Sequence, residues 1–115
     1  FVNNFQAICW LNELYQKMPY DIVVTSTWRI HDNYKDCLYN GGLNKNIKIL
    51  GCTPVLNTIR GEEIKQWIND NNFDGKFIIL DDDTDMGDLE PYLIKCDSYY
   101  GFGIKEMYNA LEKLQ

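Results

Sequence analysis

The chain has 115 residues, 45% of them apolar and 24% charged, with a formal net charge of −6. That length and balance suit one domain over residues 1–115, able to bury a core without disulfide staples. The acidic balance argues against a general nucleic-acid-binding face, which carries basic residues. No apolar run reaches membrane-spanning length and no signal peptide is evident.

In chain order, Phe5, Ile8, Leu11, Leu14, Tyr15 and Met18 recur at helical spacing, with Asn3 or Asn4 as the cap and Pro19 at the end. "DIVVT" (21–25) reads as a short buried strand. "HDNYKDCLYNGG" reads as a short helix ending at Gly41 or Gly42, and "IKIL" as a strand before Gly51 and Pro54. Ile64, Trp67 and Ile68 define an amphipathic helix from Arg60 to about Asn71. "KFIIL" and "YLIKC" are strands, and the last helix carries Ile104, Met107, Tyr108, Leu111 and Leu114 on one face. Strands alternating with helices indicate an α/β fold with a parallel sheet, whose ligands bind beyond the carboxyl ends of the strands. Cys9, Cys37, Cys52 and Cys96 form no CxxC pair and lack a histidine at zinc-ligand spacing. They are expected to be reduced, mostly buried thiols, which places the chain in the cytoplasm.

Two strand ends turn polar, "VVTSTWR" and "IILDDDTD". Asp81, Asp82, Asp83 and Asp85 fall within five positions. Such crowding is tolerable where a hard cation neutralises it, and magnesium is held by one or two carboxylates plus a substrate phosphate. An EF-hand fails on paper: position six of such a loop is Met86 rather than glycine, position twelve is Tyr92 rather than glutamate, and a strand precedes it. At the other strand end the hydroxyls of Thr25 and Ser26 suit either a phosphate or a helix cap. Arg29 suits an anion or a surface pair, Trp28 a pocket wall or core, and His31 the surface. Arg60 opens a helix, where a cation opposes the macrodipole. A local anion or the Asp81 cluster would explain it; the plain alternative is a surface arginine paired with a glutamate.

"IVVTSTWR", "TPVLNTIRGEEIKQWI", "FIILDDDTDM" and "LIKCDSYYGFGIKEMYNALEKL", in this order, resemble the haloacid dehalogenase (HAD) superfamily, and more narrowly the small HAD domains of Swiss Army knife RNA repair proteins. The resemblance implies a three-layer α/β/α sandwich with a mainly parallel, Rossmannoid sheet. It implies that Thr25, with Ser26 beside it, binds the transferring phosphoryl group, that Arg60 stabilises its charge, and that Asp81, Asp82 and Asp85 bind Mg2+. The family's first motif, a DxD at the end of a central N-terminal strand, does not precede the first helix here. That strand and its nucleophilic aspartate are therefore expected upstream of Phe1.

The resemblance thus implies a magnesium-dependent phosphohydrolase acting through an aspartyl-phosphate on a phosphorylated substrate, either a small molecule or a nucleic-acid end. The alternative is a HAD-like binding or interaction domain without turnover.

Overall fold

A computed structural model describes residues 5–25, 32–97 and 101–115. The helices are α1 (Phe5–Lys17), α2 (Tyr34–Asn40), α3 (Arg60–Asp70) and α4 (Ile104–Leu114). The strands are β1 (Ile22–Val24), β2 (Ile49–Cys52), β3 (Ile79–Asp81) and β4 (Leu93–Lys95). The expected order of elements holds, with one addition: a 3-10 helix over Gly87–Tyr92. Strands β3 and β4 follow one another in the chain yet run parallel, so the chain must climb back between them. The loop after Asp81 and the 3-10 helix make that return.

The strands form two separate parallel pairs, β1 with β2 and β3 with β4. Among the described residues nothing pairs β1 with β3. The fold is therefore mixed α/β with small parallel sheets.

Side-chain alternation through β3 and the extended residues just before it explains the continuous apolar run from Phe77 to Leu80. Phe77 and Ile79 pack with Ile64, Met86 and Leu89, while Ile78 and Leu80 join Ile94, Phe102 and Met107. Successive residues point to opposite faces, so a strand covered on both must be apolar throughout. The third cluster lies under β1 and β2, where Ile8, Leu43, Ile47 and Ile49 are buried. Leu11 of α1 and Tyr20 pack against this cluster and also against the one on β3 and β4. Tyr20 donates from its hydroxyl to the Leu11 carbonyl (2.6 Å), which closes the turn out of α1.

The apolar face of α4 differs from its expected stripe. Met107 and Ala110 are buried, whereas Ile104 is 51% and Tyr108 53% exposed. Ile104 sits in the first turn and Tyr108 on the flank of the stripe, so the helix meets the core through Met107, Ala110 and Leu111. All four cysteines are free, but only Cys96 is buried; Cys9 and Cys37 are exposed and Cys52 is half-buried. Burial pushes the Cys96 thiol up to about 12, with Glu106 adding to it, so it stays protonated and packs as a small apolar group. Among the described residues no helix is long and apolar enough to cross a membrane.

Candidate functional site

Arg60 joins the carboxyl end of β1 to that of β3. Its Nη1 donates to the Thr25 carbonyl and to Thr25 Oγ1, the latter at 3.2 Å. The same nitrogen lies 3.6 Å from Asp81 Oδ2. The Arg60 side chain is about one-fifth exposed, so water weakens these contacts less than it would at an open surface.

Helix α3 reaches this position because its first turn docks on the acidic loop. The Arg60 N–H donates to Asp85 Oδ2 (3.2 Å) and the Gly61 N–H to the Asp85 carbonyl (3.1 Å). Ile59, the residue at the cap position, offers no side-chain acceptor. Asp85 replaces it from a distant part of the chain, and its charge suits the positive end of the helix dipole. Glycine is required at position 61, because a Cβ there would lie 2.0 Å from the Met86 carbonyl oxygen. The unfavourable placing of a cation at this helix end is offset by Asp81, Asp85 and Glu63 around it.

The acidic loop is ordered by its own backbone. Asp81 Oδ1 accepts from the Asp83 N–H (3.0 Å), and Asp83 Oδ1 from the Thr84 N–H (2.7 Å). Asp81 is shifted above the usual carboxylate range, first by burial and further by a shared hydrogen bond with Asp82. The Asp83 N–H and the Arg60 charge oppose the shift without cancelling it. Asp82 is shifted down: burial pushes it up, and the hydrogen bond from Asp81 outweighs that push only together with other favourable contacts, its own backbone N–H among them. Two neighbouring carboxylates thus compete for one proton, the situation a divalent cation relieves.

Thr25, Arg60 and Asp81 are therefore brought together, with Asp82 on Asp81. Asp85 is turned onto the N-terminus of α3. Among the described residues no group of three His, Cys, Asp or Glu side chains is arranged to hold a metal. Asp81 and Asp82 still fit magnesium, which takes one or two protein carboxylates and completes its shell with water and phosphate oxygens. Ser26, Trp28, Arg29 and His31 lie outside the described residues.

Sequence reasoning did not single out Glu63. It is only 5% exposed and lies beside the Arg60 guanidinium, with Oε1 3.8 Å from Nε. The pairing of Arg60 with a glutamate is thus present, but buried rather than on the surface. The available signal was the i, i+3 spacing in "RGEE".

The family model for the HAD domain in Swiss Army Knife RNA repair proteins matches residues 3–106. No curated protein and no solved structure matches the chain. With nearly the whole sequence matched, and the strand ends carrying Thr25 and Asp81 drawn together by Arg60, the chain belongs to the HAD domains of Swiss Army Knife RNA repair proteins.

Proposed function

We propose that this domain forms most of a magnesium-dependent phosphohydrolase site, and that the observation carrying this reading is the Arg60 bridge between Thr25 and Asp81. A phosphoryl group at the carboxyl ends of β1 and β3 meets a hydroxyl, a guanidinium and a pair of carboxylates. The Thr25 hydroxyl donates to one phosphoryl oxygen. The Arg60 guanidinium holds charge that builds on the others as the leaving oxygen departs. Asp81 and Asp82 are the residues that would hold magnesium, which when bound neutralises phosphoryl charge. Ser26 is proposed beside Thr25, and Asp85 as a further acid acting at one remove because its carboxylate also caps α3.

The attacking carboxylate in this reading lies on a strand upstream of Phe1. Attack forms an aspartyl-phosphate and releases the leaving group; water then cleaves the acyl phosphate and frees inorganic phosphate. Such a strand, placed between β1 and β3, would join the two strand pairs into one sheet of a three-layer sandwich. The substrate is proposed as a phosphorylated small molecule or a nucleic-acid end.

The test is phosphate release from an aryl phosphate by the protein together with the residues encoded ahead of Phe1. Release that requires Mg2+, and that Asp82→Asn reduces at least about a hundredfold, is expected for loss of transition-state charge stabilisation. Full activity in chelator would overturn the reading. A second reading, a HAD-like binding domain without turnover, draws on Asp85 being committed to the α3 cap. It predicts phosphate binding with no release, even when the upstream residues are present.

A further inference from the structure

We infer that Glu63 is a positioning residue for the Arg60 guanidinium, setting how firmly that group faces Thr25. The inference rests on Arg60 being the phosphate-binding cation proposed above.

A carboxylate that is 5% exposed persists only with partners. The two oxygens of Glu63 have different ones. Oε2 accepts the Leu56 N–H at 2.9 Å, and Oε1 lies 3.8 Å from Arg60 Nε. Held from the Nε side, the guanidinium presents Nη1 to Thr25 and Asp81. It is therefore shared between two acids at similar range, 3.8 Å to Glu63 and 3.6 Å to Asp81. Without the Glu63 charge only the Thr25 acceptors oppose the pull of Asp81. The guanidinium then closes on Asp81 and turns away from the position a phosphate takes.

Glu63 also fixes the loop leading into α3. Val55, Leu56 and Ile59 are 57%, 43% and 42% exposed, so burial does not hold that loop in place. The Leu56 N–H donates to Glu63 Oε2, which ties the loop to the same carboxylate that orients the cation.

Simple Coulomb reasoning gives the opposite expectation: removing an anion beside Arg60 should tighten phosphate binding. The two accounts therefore separate cleanly. The chain contains two arginines, Arg29 and Arg60, so the Arg60 Nε–Hε resonance can be assigned by its loss in Arg60→Lys. In the wild-type chain this proton should exchange with solvent more slowly than that of free arginine; equal exchange would overturn the inference without need of any variant. Glu63→Gln keeps an acceptor for the Leu56 N–H and removes the charge. It should shift the Arg60 resonance, speed its exchange, and weaken binding of inorganic phosphate in Mg2+ about tenfold, while the Leu56 amide stays protected. An unmoved Arg60 resonance, or phosphate binding that is unchanged or tighter, would overturn it. If Glu63→Gln moves the resonance but phosphate leaves the wild-type Arg60 signal untouched, the positioning role stands and the phosphate reading fails.

Discussion

Asp81 and Asp82 illustrate how a site of the kind proposed here opposes stability. Asp81 is partly desolvated and shares a proton with Asp82, so its folded-state pKa lies above the ordinary 3.8. For a raised carboxylate the neutral form is favoured by folding. Its stabilising contribution is present below 3.8 and is lost as pH rises through the higher folded value. Asp82, shifted down, has the opposite sign: its contribution is present above 3.8 and is lost as pH falls below it. Asp81→Asn should therefore stabilise the metal-free domain near neutral pH. Half a kcal/mol would raise Tm by about 2–4 °C in a domain of this size. Mg2+ binding at the proposed site is expected to raise the Tm of the wild-type chain, since it favours the folded state, and the same variant should abolish that rise. Thermal melts with and without Mg2+ at two pH values check both effects. Proton competition also requires the wild-type response to Mg2+ to weaken as pH falls through the raised Asp81 value. At this scale the sequence showed the actors: a run of aspartates after an apolar strand, a hydroxyl after another, and an arginine where the dipole disfavours one. It could not show the long-range pairs, because Arg60 and Thr25 are 35 residues apart, and only the fold decides which acids reach a given cation.

Helix α3 is the element on which the site depends. Its amphipathic pattern was legible from Ile64, Trp67 and Ile68, but the way its first turn is seated was not. Glycine in a helix interior costs about 1 kcal/mol relative to alanine, and Gly61, the second residue of α3, sits at the helix start where that cost is smaller. Here alanine would place its Cβ 2.0 Å from the Met86 carbonyl oxygen. Relieving a clash with backbone costs about 1–3 kcal/mol or more, so the steric cost should outweigh the gain in helix propensity. Gly61→Ala is predicted to lower stability by roughly 2 kcal/mol and to move Arg60 off Thr25, with both effects visible in urea unfolding and in the Arg60 Nε–Hε resonance. Asp85→Ala should cost about 1 kcal/mol through loss of the helix cap, without the displacement of α3. Three strands were read longer than they are, as where "KFIIL" suggested that β3 (Ile79–Asp81) starts at Lys76; the second was read too early, since β2 runs through Gly51 to Cys52 where "IKIL" ends at Leu50. Apolar character marks burial, and Phe77 and Ile78 are packed in the clusters without ladder bonds. The 3-10 helix over Gly87–Tyr92 escaped the pattern because it is short and contains Pro91.

At the scale of the whole molecule, two parallel strand pairs are held together by α1 and by one arginine. Leu11 and Tyr20 bridge the clusters under the two pairs, and Arg60 bridges their carboxyl ends. The alternation of strands and helices made the α/β class legible. Periodicity does not report which backbones pair; that β1 and β3 do not pair directly followed only from the family resemblance, which puts another strand between them. If a strand upstream of Phe1 enters between β1 and β3, backbone groups along both strands gain partners. The longer protein should then melt about 10 °C or more above the 115-residue chain, a difference calorimetry would show directly. Arg60 is proposed to make one oxyanion site out of two strand ends. Isothermal titration of the 115-residue chain with inorganic phosphate in Mg2+ tests it most directly, with Arg60→Met as the comparison and its melting curve as a check on folding. Binding should be saturable and weakened at least about tenfold, or ~1.4 kcal/mol, in the folded variant; equal affinity in the two proteins would rule out an oxyanion site built on Arg60.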